Sequence, residues 1–93
     1  MLVEQYGFPG GMATAGEISP FMQNGISGRS FDEGIYTEWV ERMGRYGGLH
    51  ANRRTFDPNA ARLAAEDLCI EAGVRLLYHH RPIHVETEGD RIT

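Results

Sequence analysis

The run Leu2-Val3-Glu4-Gln5-Tyr6-Gly7-Phe8-Pro9-Gly10-Gly11-Met12-Ala13-Thr14-Ala15-Gly16 joins a strand-like start, an acidic residue and a glycine-rich turn within fifteen positions. Leu2 and Val3 read as the end of a buried strand, with Glu4 at its exit. A carboxylate at a strand exit is what a nucleotide-binding α/β fold uses to accept hydrogen bonds from ribose hydroxyls. Gly7, Gly10 and Gly11 then let the backbone fold back closely on itself or on a ligand. An acid after two apolar residues is also commonly a plain solvated carboxylate, so the motif alone does not choose between the two.

Other candidates are weaker. Arg53-Arg54 could meet a phosphate or a carboxylate, although adjacent loop arginines are usually solvated. Phe21 and Met22 could cover a ligand, but plugging the edge of a small core is the commoner role for apolar side chains. His80 and His84, four apart on one strand, would sit roughly 13 Å from each other, too far to share a metal ion. No nucleophile elbow surrounds Ser19, Ser27 or Ser30, which leaves hydrolase chemistry without support.

Two helices and a few strands must position these groups. Ser30 and Glu33 have capping-box spacing, and Phe31, Ile35, Trp39 and Met43 recur every four residues, which predicts a helix over about 31–46 ended by Gly47-Gly48. Trp39 on that stripe is better read as a core or interdomain contact than as a cofactor contact. Asp57 as N-cap and Pro58 at the first position predict a second helix over 58–72, closed by Gly73. Its face of Ala61, Ala64, Ala65, Leu68 and Ala72 suits close approach to a sheet. Strands are expected near 2–4, 74–79 and 83–88, the last with one wet face, followed by a turn at Gly89-Asp90. Residues 19–29 read as a loop with at most one short extended piece.

Composition bounds the rest. A chain of 93 residues makes one small domain with a modest core, and 41% hydrophobic with 24% charged residues argues against disorder. A net charge of −4 with scattered arginines marks no nucleic-acid surface. Cys69 is the only cysteine, which rules out an intramolecular disulfide and an all-cysteine metal or iron–sulfur site in this chain. It suits a reducing compartment. With no signal-peptide pattern and no apolar run near ~18 residues, the expectation is a soluble, cytoplasmic protein without a membrane partner.

The run from Val3 to Gly16 resembles the "VER-x-GFLGGMATAG" segment of FAD-dependent oxidoreductases that carry a two-dinucleotide-binding-fold domain. Phe56-Asp57-Pro58 is similar to that family's "FDPE" helix start, and Glu71-Ala72-Gly73-Val74-Arg75-Leu76-Leu77-Tyr78-His79 to its "EAGVxLLYHT" passage. These matches span nearly the whole chain in the family's order. The resemblance implies an α/β, Rossmann-like FAD-binding domain in which flavin does redox chemistry on a small-molecule substrate. Glu4 would accept from the adenosine ribose, and Gly10, Gly11, Met12, Ala13 and Thr14 would run beside FAD, with Thr14 available to hydrogen-bond. Two departures stand out: Gln5 replaces a commoner basic residue, and His80-Arg81-Pro82-Ile83 replaces a Thr-Arg-Val-Val-like run, so Pro82 offers no amide. An iron–sulfur cluster, present in some relatives, would lie outside this piece.

The dinucleotide fingerprint G-x-G-x-x-G precedes its ribose-binding acid by about 20 residues, yet only three residues precede Glu4. At the other end a hairpin is opened with only Arg91-Ile92-Thr93 to return. The expectation is a single incomplete FAD-binding domain over 1–93, a fragment whose remainder belongs to a longer flavoprotein and which is inactive alone. The alternative is a small non-catalytic α/β module that binds a partner through the Trp39 helix or an open strand edge.

Overall fold

The computed structural model describes residues 1–22, 25–30 and 32–93. Two helices carry the core: α1 over Ile35–Arg45 and α2 over Pro58–Glu71. Among the described residues the strands are all two residues long and form three separate pairs. β1 (Leu2–Val3) pairs parallel with β4 (Leu76–Leu77), β2 (Gly25–Ile26) antiparallel with β3 (Arg29–Ser30), and β5 (Thr87–Glu88) antiparallel with β6 (Arg91–Ile92). The result is a small mixed α/β fold.

α2 forms where its local signals place it. The Asp57 carboxylate accepts from the Asn59 amide at 2.8 Å, capping one of the helix's free N–H groups, and Pro58 occupies the first position, where its missing N–H costs nothing. At the other end Gly73, at φ 70°, donates to Ile70 while Val74 donates to Cys69, the paired bonds of a Schellman stop. The alanine face is narrower than expected and meets a different neighbour. Ala60, Ala61 and Ala64 are buried in one cluster with Val40 and Met43 of α1, Phe56 and Ala13, so α2 lies against a helix instead of a sheet, and Ala72 is exposed.

α1 starts later than its spacing predicts. Ser30 pairs with Gly25 in the β2–β3 hairpin and its hydroxyl accepts from the Asp32 amide, so it does not cap a helix; Gly34, at φ 64°, precedes the first turn instead. Ser27 and Gly28 both have positive φ, as the two-residue turn of a tightly twisted hairpin requires. Phe31, the expected first member of the apolar stripe, lies outside the described residues. Ile35 is 75% exposed, and the face that packs inward is Tyr36, Trp39, Val40 and Met43. A strict four-residue repeat drifts by about 40° per step on a helix of 3.6 residues per turn, so Ile35 and Met43 cannot share one narrow face. α1 also ends in a Schellman stop, with Gly47 donating to Gly44 and Gly48 to Met43. Gly48 has a second constraint: a Cβ there would come within 2.1 Å of the Ala60 Cβ, so the turn and α2 approach at a distance only glycine allows.

The core is closed by aromatic rings. Phe21 stacks near Phe56 at 4.4 Å, Tyr36 at 5.2 Å and Trp39 at 5.5 Å, which is the edge-plugging role; Met22 beside it is exposed. The Trp39 indole donates to the Ala61 carbonyl at 3.0 Å, and Arg42 grips Glu71 through two bonds of 2.6 and 2.7 Å. Tyr46 donates to Asp67 along the same seam.

The strand expectations shrink. Leu2 is exposed and Val3 half-buried, so β1 is less covered than a buried strand. The ladder at 74–79 is limited to Leu76–Leu77, the reach of β1, and His79 at φ 57° breaks the extended path. Residues 83–86 are not a strand: Pro82 lacks an amide, Ile83 is 96% exposed, Val85 is exposed, and both faces of the segment are wet. Only Thr87–Glu88 pairs, across the Gly89-Asp90 turn. This exposed arm helps explain a radius of gyration of 15.4 Å, above the about 12 Å of a compact chain this long. Among the described residues no helix is long and apolar enough to cross a membrane.

Candidate functional site

The parallel pair β1–β4 defines an edge. Leu2 lies opposite Leu76 and Val3 opposite Leu77, so both strands deliver their carboxyl ends to the same side. The backbone zips beyond the ladder: the Glu4 amide donates to Leu77 at 2.9 Å, His80 to the Glu4 carbonyl at 3.1 Å and His79 to Tyr6 at 3.2 Å. In open α/β sheets ligands bind outside such carboxyl ends.

Glu4 is half-buried at that edge, and its Oε1 accepts from the Tyr6 amide at 3.0 Å. Its Oε2 has no hydrogen-bond partner among the described residues. The positive φ of His79 lays its imidazole against Gly7, where an added Cβ would sit 3.1 Å from Nε2. Beside it the Tyr78 hydroxyl donates to Glu66 of α2 at 3.2 Å. Burial first, then the Glu66 charge and hydrogen bond, push the Tyr78 phenol up to about 12, so it remains a donor. His80 is exposed and folds onto its own backbone, with Nδ1 2.6 Å from the Tyr78 carbonyl, and His84 lies 3.6 Å from Glu86.

From Glu4 the chain passes through Tyr6 and Phe8, whose rings stack at 5.9 Å, into a single 3-10 turn over Gly11–Ala13. Gly10 at φ 112° and Gly11 at φ 54° supply conformations that other residues rarely adopt. At Gly10 a Cβ would also lie 2.5 Å from Thr14 Cγ2, so two independent constraints demand glycine. Thr14 is fully buried, and its hydroxyl donates to the Pro9 carbonyl at 2.8 Å, with the Gly11 carbonyl 3.3 Å away. The Gly11 carbonyl further accepts from Ala15 at 2.8 Å, and Met12 from Ile18 at 3.0 Å.

The six residues singled out from sequence thus divide by side. Glu4, Gly10, Gly11 and Met12 reach the surface, Met12 with 67% exposure, whereas Ala13 and Thr14 form the buried underside. Thr14 spends its hydroxyl inside the protein, where it holds the turn closed.

Sequence reasoning missed the clamp under this turn. Arg62 of α2 places its guanidinium 4.0 Å over the Phe8 ring, donates to the Thr14 carbonyl at 3.0 Å and lies 3.7 Å from Glu17. The loop is thereby fastened to the helical core at one residue. Nothing in the local pattern around Arg62 announces a partner 48 positions away. His79 against Gly7 was equally hidden, because the contact depends on the left-handed backbone at His79.

Among the described residues no three His, Cys, Asp or Glu side chains gather as a metal-binding group. A family model described as FAD dependent oxidoreductase matches residues 1–93, the whole chain. No curated protein and no solved structure matches it.

Proposed function

The chain belongs to the FAD-dependent oxidoreductase family, and from that premise we propose that residues 4–14 form one wall of an FAD site in a flavin-dependent redox enzyme acting on a small molecule. What supports the reading is that Glu4 and the glycine turn leave the same carboxyl edge of a parallel strand pair. Glu4 keeps Oε2 free to accept from a ribose hydroxyl, and the Gly10–Met12 surface carries no side chain before Met12 that would hold a ligand away from the backbone. Ala13 and Thr14 act from beneath, holding that surface in shape. When bound, FAD would supply the redox chemistry, while these residues bind and orient it.

We read β1, β4 and α2 as part of a Rossmann-like arrangement within a single domain. No G-x-G-x-x-G occurs among the 93 residues, so the pyrophosphate contact is assigned to a fingerprint unit elsewhere in a larger flavoprotein. The test compares flavin fluorescence and retained visible absorbance for this chain and for the same chain preceded by a strand, G-x-G-x-x-G turn and helix. Tight binding only by the extended form, weakened about tenfold by Glu4→Ala, is the expected result. Binding by neither form, with cooperative unfolding preserved, would reject the reading in favour of a partner-binding module.

A further inference from the structure

The flavin reading leaves Arg53-Arg54 without a role, and the structure separates the two residues. Arg54 is structural: its guanidinium donates to Asp32 at 2.6 Å and to the Met22 carbonyl at 2.9 Å, and its own carbonyl accepts from Phe21. The Arg53 guanidinium has no hydrogen-bond or ion-pair partner among the described residues. Arg53 is held at φ 56°, and its amide donates to the His50 carbonyl at 2.9 Å. A left-handed non-glycine residue is strained, and such strain persists only where the surroundings impose it. Here the Asn52 side chain does so, accepting from the Arg54 and Thr55 amides and donating to the Thr55 hydroxyl.

Arg53 borders a cavity of about 300 Å³ whose other walls include Asp32, Tyr36, Thr37, Val40 and Asn52. That volume is at the lower end for a small-molecule site. Val40 and the Tyr36 ring supply an apolar wall, while Arg53 supplies a planar fork that matches a carboxylate. Asp32 and Arg54 neutralise each other, so the cavity carries one net positive charge. We propose that this cavity binds a small organic monocarboxylate, its carboxylate on the Arg53 guanidinium and its carbon skeleton against Tyr36 and Val40. A dianion such as phosphate brings a second charge toward Asp32 and no apolar body, and it binds more weakly. Burial, then the Asp32 charge, raise the Tyr36 phenol above its ordinary value, which keeps it a neutral hydrogen-bond donor.

The proposal does not rest on the flavin site and is tested without flavin. The isotope-labelled chain is titrated with benzoate, benzamide and inorganic phosphate while amide shifts are followed by NMR. Benzoate is expected to bind with a Kd on the order of 1 mM, with shifts concentrated at Thr37, Asn52 and Arg53. Benzamide and phosphate should each bind about tenfold more weakly. Arg53→Gly removes the guanidinium while suiting the left-handed backbone, and it should weaken benzoate about tenfold with the remaining spectrum unchanged. Arg53→Lys, which keeps the charge and loses the fork, should fall between the two. Benzamide or phosphate binding as tightly as benzoate would overturn the proposal, as would an Arg53→Gly chain that binds benzoate normally or the absence of shifts at these residues.

Discussion

The α1–α2 seam and the Gly7–Gly16 loop are held by opposite means. The seam is made of side chains: Met43, Val40 and three alanines are buried together, and Trp39, Arg42 and Tyr46 reach across to α2. The loop buries little side chain beyond Ala13, Thr14 and Pro9, and is shaped by backbone bonds onto the Gly11 carbonyl, one threonine hydroxyl and one arginine. Each region is therefore vulnerable in its own way. A packed seam loses stability in proportion to the volume removed, whereas a backbone-built turn loses its shape when one residue cannot adopt the required conformation.

The largest effect should come from the seam. Met43→Ala, at a fully buried position, is expected to cost about 2–5 kcal/mol of unfolding free energy, read by denaturant titration. A cost below about 1 kcal/mol would mean that the seam is not the core. Gly10→Ala should cost of order 1–3 kcal/mol through its φ and the clash with Thr14, and should weaken flavin binding by the extended form more than global stability alone explains. Thr14→Val keeps the shape and deletes the donor, leaving the Pro9 carbonyl buried without its partner. About 1–3 kcal/mol is expected, with faster amide exchange at 11–16 and little change in α1. Equal loosening of both regions would erase the distinction drawn here.

The smallest effects are pH-dependent. The Tyr78 phenol is raised to about 12, so its contribution is intact below pH 10 and lost as pH climbs from 10 toward 12; Tyr78→Phe should flatten that alkaline fall. Glu71 runs the other way. Its hydrogen bond to Arg42 holds the carboxyl below the usual range, so its contribution is present above the ordinary carboxylate pKa and lost as pH falls through the lowered one. Glu71→Gln should remove that acid limb without altering the loop. Thermal unfolding at a series of pH values checks both.

Local features follow from the amino-acid order alone. Asp57-Pro58 and Gly73 bound α2, Gly47-Gly48 stop α1, and Gly89-Asp90 turn the last hairpin, because caps and left-handed stops depend on residues only a few positions apart. The Ser27-Gly28 hairpin was not legible in this way: residues 19–29 read as a loop and Ser30 as a helix cap, whereas the pairing of Ser30 with Gly25 delays the start of α1. The acid-and-glycine run from Glu4 to Gly16 was also visible, since its glycines and acid are contiguous. Which of its residues face outward depends on long-range packing. Thr14 turns inward because Pro9 lies beneath it and Arg62, from α2, seizes its carbonyl. The same holds for the alanine face, which settled on α1 when Gly48 allowed the two backbones to meet, and for residues 83–86, which alternate like a strand but form no ladder, their one backbone bond to the returning segment running from the Thr93 amide to the Glu86 carbonyl. Periodicity states which residues can share a face; only long-range packing, with no signature in local spacing, states what that face will meet.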